Sequence, residues 1–363
     1  MTALPPGSTI GILGGGQLGR MLAMAAARLG LKCHIYSDHS GPAFDVAAAS
    51  EVGAYDDLDA VRRFAETVSV VTYEFENVPY ATAEAAAGIR PERPGVNALE
   101  VAQDRLKEKT FISALGIPVA PFAAVDSDTS LQQAASALGL PAILKTRRLG
   151  YDGKGQVRLD ADASQDVPAA RAEIGNAPAI LEGMIQFKIE VSVLVVRSPS
   201  GQMRFYDLPH NTHANGILDT STVPAPVSQK TRERATEIAG TIASALDYVG
   251  VLAVEMFYCG EAAPEPLIVN EIAPRVHNSG HWTIDACAVS QFENHIRAVA
   301  GWPLGPTDRH SNAVMTNLIG ADIEAWKTLA TEPAAGLHLY GKNDPRPGRK
   351  MGHITRISPK TVD

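Results

Sequence analysis

Two glutamates, Glu255 and Glu271, lie within apolar segments of alternating pattern, Val251–Tyr258 and Leu267–Ile272. The loop between them contains glycine and proline, so the two segments are predicted to form an antiparallel hairpin. If the loop centres near Ala263, the glutamates are directly opposite each other, with Cβ atoms about 5 Å apart. Carboxylates that close repel each other and lose hydration, so the pattern favours a divalent metal between them. The alternative is a solvated hairpin with one polar face.

A dense run of polar side chains continues beyond the second segment. Asn270 supplies an amide oxygen next to Glu271, and Arg275 and His277 begin a polar stretch that ends at Ser279. This run favours a functional site over a solvated hairpin.

A basic, glycine-containing loop follows the apolar segment Ala142–Lys145 and extends to Gln156. Backbone N–H groups in such a loop can surround a phosphate chain, while Lys145 and Lys154 supply positive charge. The pattern is typical of a triphosphate site, although it is not the P-loop sequence. A flexible, solvated hairpin is the alternative.

The amino-terminal segment has the pattern strand, glycine turn, helix, strand, which predicts a βαβ unit in a parallel sheet. The predicted elements are Thr9–Leu13, the turn Gly14–Gly19, the helix Arg20–Leu29 and the strand Leu31–Tyr36. The glycines fit a dinucleotide fingerprint, with Asp38 as the ribose-binding acid, and would suit an NAD-linked oxidoreductase. Against this, Asp38 lies beyond the strand end and no later segment supplies hydride chemistry. The same turn also suits another phosphate or close helix packing.

Two further polar segments are candidates for a ligand site. Glu74, Glu76 and Asn77 follow the predicted strand Val68–Thr72, at the sheet edge where ligands collect. Near the carboxyl end, Tyr340–His353 concentrates basic residues, which is typical of a phosphate clamp. A solvated acidic loop and a solvated basic face are the respective alternatives.

Composition limits the class of protein. The 363 residues suggest two or three domains, and the net charge of −8 argues against nucleic acid or an anionic membrane as partner. No apolar run approaches the ~20 residues of a membrane span, and no signal peptide is recognised. The three cysteines are widely separated, which suits a reducing cytoplasm.

Other elements are predicted from composition and periodicity. Leu99–Leu115 is predicted to be one charged helix, Thr231–Leu246 a second helix, and Asn211–Ser228 a loop. The pairs His210/His213 and His277/His281 have spacings that fit zinc, but no third strong ligand lies nearby.

Five segments occur in one order along the chain: Gly14–Met21 (GGGQLGRM), Thr72–Pro79 (TYEFENVP), Gly150–Gln156 (GYDGKGQ), Val269–Ser279 (VNEIAPRVHNS) and Tyr340–His353, which contains RKMGH. Together they resemble the 5-(carboxyamino)imidazole ribonucleotide synthase family, ATP-grasp enzymes of purine biosynthesis. The match covers nearly the whole chain. In this family the glycine turn faces the substrate, which argues against the NAD interpretation.

The resemblance implies a mixed α/β and α+β ATP-grasp architecture. An amino-terminal parallel-sheet (Rossmann-like) domain would occupy residues 1–104, a two-lobed ATP-grasp region residues 105–297, and a small carboxy-terminal domain residues 298–363. A cytoplasmic homodimer is implied as well. Other ATP-grasp ligases or transferases, such as a glycinamide ribonucleotide transformylase, and a non-catalytic nucleotide sensor remain alternatives.

The resemblance also implies the site residues. ATP contacts would be Arg105, Lys145, the lid (Gly150, Tyr151, Asp152, Gly153, Lys154, Gly155, Gln156), the adenine hinge (Glu182, Gly183, Met184, Ile185), the ribose acid Glu190, His213, Asn270 and Glu271. Magnesium would be bound by Glu255 and Glu271. Contacts to aminoimidazole ribotide would be Gln17, Glu76, Lys342 and Arg349, with Arg275 and His277 beside bicarbonate and the reacting amine.

The implied reaction is ATP-dependent phosphorylation of bicarbonate to carboxyphosphate, followed by carboxylation of the ribotide amine. Lys145, Arg275 and His277 would be the catalytic residues. Two positions depart from the family pattern: Leu149 stands where relatives often have glycine, and His210 stands where an acid commonly precedes Asn-x-His.

Overall fold

The computed structural model describes residues 3–150, 154–160 and 167–361. The predicted lid residues Tyr151, Asp152 and Gly153 therefore lie outside the described part of the chain. Within the described residues, no helix is both long and apolar enough to cross a bilayer.

The amino-terminal part is a parallel sheet flanked by helices, as predicted. Its elements are β1 (Thr9–Leu13), α1 (Gln17–Arg28), β2 (Lys32–Ser37), β3 (Ala49–Val52), α2 (Leu58–Glu66), β4 (Val70–Tyr73) and α3 (Tyr80–Ala87). The strand order is β3-β2-β1-β4, with β1 between β2 and β4, and all three pairings are parallel. This order brings the carboxyl ends of β1 and β4 side by side.

The predicted single helix Leu99–Leu115 is wrong. The structure has two helices, α4 (Val96–Ala102) and α5 (Arg105–Ala114), separated at Asp104. Asp104 has extended backbone angles, and its carboxylate accepts hydrogen bonds from the N–H groups of Leu106 and Lys107. Aspartate is a preferred N-cap, so it starts a new helix here instead of continuing the old one.

A small antiparallel sheet follows. Its elements are β5 (Phe122–Val125), α6 (Asp128–Leu138), β6 (Ala142–Thr146), β7 (Gln156–Leu159), α7 (Val167–Glu173) and β8 (Ala179–Gly183). The strand order is β5-β8-β6-β7, and Leu144 and Leu181 are cross-strand partners within its buried core. The sheet presents Lys145 at the end of β6 and Glu182 near the end of β8.

The largest sheet contains the predicted glutamate hairpin. The remaining elements are β9 (Ile189–Arg197), β10 (Met203–Phe205), β11 (His210–Ala214), β12 (Ile217–Val223), α8 (Gln229–Ala245), β13 (Gly250–Tyr258), β14 (Leu267–Ala273), α9 (Thr283–Ala286), α10 (Gln291–Ala300), β15 (Ser311–Ile319), α11 (Trp326–Leu329), β16 (Ala335–Leu339) and β17 (Lys350–Pro359). The strands of this sheet lie in the order β14-β13-β9-β11-β12-β15-β17-β16, and β10 pairs with β9 at its side. The sheet thus runs across residue 298, where a domain boundary is predicted; that boundary stays a prediction.

The predicted loop over Asn211–Ser228 is wrong for most of its length. β11 and β12 form a hairpin there, joined at Asn215 and Gly216, which have φ angles of 52° and 77°. Asn-Gly with both φ values positive is the preferred two-residue hairpin turn, because its twist matches that of the strands. The Asn-Gly pair was the sequence signal for this hairpin.

Candidate active site

The predicted opposition of the two glutamates is confirmed. Glu255 on β13 is the cross-strand partner of Glu271 on β14, while Met256 pairs with Val269. Asn270 is therefore an extra residue on β14, in a bulge directly before Glu271. Such a bulge redirects the neighbouring side chains of one strand and is common beside functional sites.

The two carboxylates have different electrostatic environments. Burial alone would raise the pKa of Glu271, but the charge and hydrogen bond of Arg105, whose Nη1 lies 2.8 Å from Oε2, lower it to about 2. Burial and the Glu271 charge raise the pKa of Glu255 to about 8. The surroundings thus favour the ionised form of Glu271 and the protonated form of Glu255.

His277 is paired with the glutamate that carries the raised pKa. Its Nε2 lies 3.0 Å from Glu255 Oε1, and its Nδ1 accepts a hydrogen bond from the backbone N–H of Ser279. Burial, followed by the Arg275 charge, lowers the pKa of His277 to about 3. The ring is therefore neutral, and the hydrogen bond at Nδ1 assigns its proton to Nε2.

Two lysines converge on the carboxylate of Glu182. Lys145 Nζ lies 3.0 Å from Glu182 Oε2, and Lys109 Nζ lies 3.5 Å from the same oxygen. Lys109 also donates to the backbone oxygen of Asn270 at 2.7 Å and is only 1% exposed. Burial would raise the pKa of Glu182, but the two lysine charges outweigh it and lower that pKa.

Lys109 and its neighbour Glu108 are site residues that sequence reasoning missed. Lys109 lies one helical turn after Arg105 on α5, so the i, i+4 spacing was the available signal. Glu108 is also buried, and its carboxylate accepts a hydrogen bond from Ile272 N–H at 2.6 Å. Burial and the charge of Glu271 raise the pKa of Glu108 to about 8.

A second acid–histidine group borders the hairpin. His213 Nδ1 lies 3.2 Å from Glu190 Oε2, and ligand atoms of Glu190, His213 and Glu255 lie within 4.8 Å of one another. Burial lowers the pKa of His213, but the nearby Glu190 carboxylate outweighs it, so the net shift is upward. The neighbour His210 pairs with Val191 and Thr222 in the sheet.

The described ends of the predicted lid lie beside Arg105 and Lys145. Arg105 Nη2 donates to the backbone oxygen of Gly150 at 3.4 Å, and Gln156 pairs with Lys145 in the β6–β7 register. Leu149 has a φ of 62° and is 72% exposed. At the predicted hinge, Met184 N–H donates to the oxygen of Pro141.

The glycine turn before α1 is occupied by a carboxylate of the chain itself. Glu74, at the end of β4, accepts a hydrogen bond from Gly16 N–H at 2.6 Å. A Cβ added at Gly14 or Gly16 would lie 2.8 Å from the Glu74 side chain, and Gly14 has a φ of 117°. The glycines here make room for Glu74, so the fingerprint does not present an open anion site. Asp38 is exposed and pairs with His39, which also argues against ribose recognition.

One ion pair joins the amino-terminal sheet to the glutamate hairpin. Arg275 Nη2 lies 2.8 Å from Glu76 Oε2, and Gln17 begins α1 at the same edge of the parallel sheet. Burial would lower the pKa of Arg275, but the Glu76 carboxylate outweighs it and raises it. Arg275 is thus shared between the predicted ribotide side and the predicted nucleotide side.

The basic residues of the carboxy-terminal segment have local partners. Lys342 Nζ donates to Lys350 O at 2.8 Å, and Arg349 Nη1 donates to Asp344 O at 2.9 Å. Burial and then the Arg349 charge lower the pKa of Lys342 to about 8, while Glu74 acts in the opposite direction. Lys342 therefore lies close enough to Glu74 and Arg349 to experience both charges.

Three family models match consecutive parts of the chain. A ribonucleotide synthetase preATP-grasp domain matches residues 7–103, an ATP-grasp domain residues 110–292, and a phosphoribosylaminoimidazole carboxylase C-terminal domain residues 313–363. The N5-carboxyaminoimidazole ribonucleotide synthase of Brucella melitensis is 54% identical over 99% of both chains. The chain belongs to this family. The predicted family and ATP-grasp architecture are thereby confirmed.

Other members of the family support the same assignment. The Pseudomonas aeruginosa synthase is 47% identical over 95% of this chain and 93% of its own. An ADP complex of a family member superposes with a TM-score of 0.94 at 42% identity, covering 99% of this chain and 94% of that one. The Aspergillus clavatus synthase with ADP and 5-aminoimidazole ribonucleotide gives 0.91 at 32% identity, covering 98% and 94%.

Proposed function

We propose that this protein carboxylates 5-aminoimidazole ribonucleotide to 5-(carboxyamino)imidazole ribonucleotide, using ATP and bicarbonate, in purine biosynthesis. The 54% identity to the Brucella melitensis synthase over nearly the full length of both chains supports the activity. The similar structures that contain ADP, or ADP and the ribotide, support both ligands. The observation that carries the proposal is the Arg275–Glu76 ion pair, because it joins the sheet that follows the glycine turn to the glutamate hairpin. A reaction between a ribotide and an ATP-derived group needs such a junction.

The nucleotide side is assigned to the residues around the hairpin. Arg105 and Lys145 would bind the phosphates, and Glu190 with His213 would bind the ribose. Both cations already face carboxylates, Glu271 and Glu182, so each is held in place before ATP arrives. The remaining assigned contacts are the lid Gly150–Gln156, the hinge Glu182–Ile185 and Asn270.

The opposed glutamates fit a magnesium ion. Glu255 and Glu271 face each other beside the bulge at Asn270. Their carboxylate oxygens are the hard donors that magnesium prefers. Burial and then the charge of Glu271 raise the pKa of Glu255, and a bound dication would favour its ionised form. When bound, the ion would neutralise charge on the ATP phosphates.

The chemistry begins with attack of a bicarbonate oxygen on the γ-phosphorus of ATP. The bond to ADP breaks, giving carboxyphosphate, which separates into CO2 and phosphate inside the site. The ribotide amine then forms a C–N bond to CO2 and loses one proton. Arg275 would hold the bicarbonate or carboxyphosphate, and His277 is the candidate proton carrier.

The ribotide would lie at the junction between the sheets. Gln17 and Glu76 come from the edge of the parallel sheet, and Lys342 with Arg349 would bind the 5′-phosphate. Arg349 would have to exchange its contact with Asp344 for the phosphate. Lys342 is oriented by its contact with Lys350 O.

The test is ADP release from MgATP with and without the ribotide, at controlled bicarbonate. Release that requires both the ribotide and bicarbonate is expected. ATP turnover indifferent to the ribotide would retain the ATP-grasp chemistry and reject this acceptor. Nucleotide binding without turnover would instead indicate a nucleotide sensor.

Domain limits, assembly and location are also part of the proposal. The limits 1–104, 105–297 and 298–363 are supported by the similar limits of the three family models. The homodimer rests on the family resemblance, and the cytoplasmic location rests on the three widely separated cysteines. Light scattering of the purified protein tests the dimer, and a monomeric mass would reject it.

A further inference from the structure

We propose that Asp285, His338 and His353 form a zinc site that ties α9 to the β16–β17 hairpin. A ligand atom from each of the three lies within 4.8 Å of the other two. His338 Nε2 and Asp285 Oδ2 are 2.8 Å apart, and the two imidazole rings stack with centroids 4.5 Å apart. The group is separate from the Glu190, His213 and Glu255 group beside the hairpin.

His353 provides the second observation. Its side chain is fully buried, and its Nδ1 lies 2.8 Å from the hydroxyl of Tyr340. Its Nε2 is buried as well and has no hydrogen-bond partner among the described residues. Burial, then His281 and His338, keep the pKa of His353 well below its usual value, so the ring is neutral. A neutral imidazole with one nitrogen anchored and the other unused has the form of a metal-ligating histidine.

The backbone of β16 and β17 brings Asp285, His338 and His353 together. His338 on β16 and His353 on β17 are cross-strand partners, so their side chains share one face of the sheet. A Cβ added at Gly336 would collide with the Asp285 carboxylate. The glycine therefore lets α9 approach β16 closely enough for Asp285 to reach the histidines.

The donor set selects the kind of ion. Two imidazoles and one carboxylate suit zinc, whereas magnesium prefers oxygen donors alone. The side chains of His338 and Asp285 are 26% and 19% exposed, which leaves an open side for water as the fourth ligand. The connection between β16 and β17 carries Lys342 and Arg349, so the ion would fix the base of the segment assigned to the ribotide phosphate.

The test uses the full-length protein, stripped of metal with a chelator and titrated with Co²⁺ as a spectroscopic substitute for Zn²⁺. Excess Mg²⁺ is present to occupy the oxygen-rich hairpin site. One tight ion per chain with tetrahedral Co²⁺ absorption, displaced by Zn²⁺, is expected. Zn²⁺ should also raise the Tm of the wild-type protein.

Variants locate the ion. His338→Gln and Asp285→Asn should each weaken Co²⁺ binding by more than about 100-fold, and Tyr340→Phe by about tenfold through loss of the outer hydrogen bond. His310→Gln, at an exposed histidine outside the group, is the matched control and should bind normally.

Three results would overturn the proposal. The first is the absence of stoichiometric binding to a wild-type protein that still turns over ATP. The second is binding that survives His338→Gln but is lost in His213→Gln, which would assign the ion to the group beside the hairpin. A Tm increase of equal size in wild type and His338→Gln would count against the site in the same way.

Discussion

The glutamate hairpin and the glycine turn before α1 are both motifs that predict binding of an ion, but in the turn a carboxylate of the chain itself takes the place of the ion. In the hairpin, Glu255 and Glu271 come from adjacent strands of one predicted motif, and the bulge at Asn270 brings them directly opposite each other. In the turn, the group that fills the glycine-lined space is Glu74, from a strand that is distant in sequence. A local pattern is therefore reliable where both partners belong to it.

The largest effect is expected in the hairpin. Glu271→Gln removes the carboxylate that pairs with Arg105 and that is assigned to magnesium, so ATP turnover should fall by at least about 10³-fold, in the range of lost electrostatic stabilisation. The fold should remain intact, because Gln has nearly the same shape. ADP release and circular dichroism measure the two properties.

Glu265→Gln is the matched control, since Glu265 is exposed in the loop of the same hairpin. It should leave turnover unchanged. Turnover near wild type in Glu271→Gln would remove Glu271 from the catalytic site.

The next effect is expected in the glycine turn, on stability. Glu74→Ala leaves Gly16 N–H without its acceptor and empties a buried space, which should cost about 1–3 kcal/mol of the free energy of unfolding. Urea denaturation measures it. Glu74→Gln retains an oxygen acceptor and should lose less.

The same variant tests the interpretation of the turn. With the carboxylate gone, the helix N-terminus is open to anions, so phosphate should stabilise Glu74→Ala more than wild type. Equal stabilisation of both proteins would mean that Glu74 does not block the turn. Tight NADH binding by the wild-type protein would contradict the occupied turn directly.

The hairpin and the turn show which features of the fold and of the site could be predicted from the sequence. The parallel sheet and the glutamate hairpin follow from periodicity, and the assignment of Arg105 and Glu271 to one site follows from the family resemblance. Lys109 was not assigned, and Glu74 was expected at a ligand edge and not in the glycine turn, because the partners of both residues depend on how distant elements pack. The hairpin at Asn215 was missed although its turn residues were visible, since Gly, Pro and Thr content outweighed the Asn-Gly pair in the prediction.

A pH effect is expected at Lys342, which is close enough to Glu74 of the glycine turn to experience its charge. The pKa of Lys342 is lowered to about 8, chiefly by burial, and a bound phosphate dianion would favour its charged form. Below pH 8 the ammonium is already present, whereas above pH 8 binding must first take up a proton. The KM for the ribotide should therefore rise above pH 8, by up to about tenfold per pH unit.

Lys342→Arg provides the comparison for this profile, because arginine remains charged throughout the range. Its KM should stay flat above pH 8 even if it is higher overall. A wild-type KM that is constant to pH 9.5 would remove Lys342 from the phosphate contact or show that its pKa is unshifted.

The smallest effect concerns Leu149, a second position of positive φ. Gly14 cannot accept a side chain, because a Cβ there would meet Glu74, whereas Leu149 extends into solvent at a φ of 62°. Leu149→Gly relieves a backbone cost of roughly 1 kcal/mol, but glycine loses about the same amount through the greater freedom of the unfolded chain. The free energy of unfolding should thus change by less than about 0.5 kcal/mol, whereas Gly14→Ala should be clearly destabilised. Urea denaturation of the two variants side by side makes the comparison. A large loss in Leu149→Gly would mean that the leucine side chain packs against the lid, so that its identity, and not only its backbone, matters there.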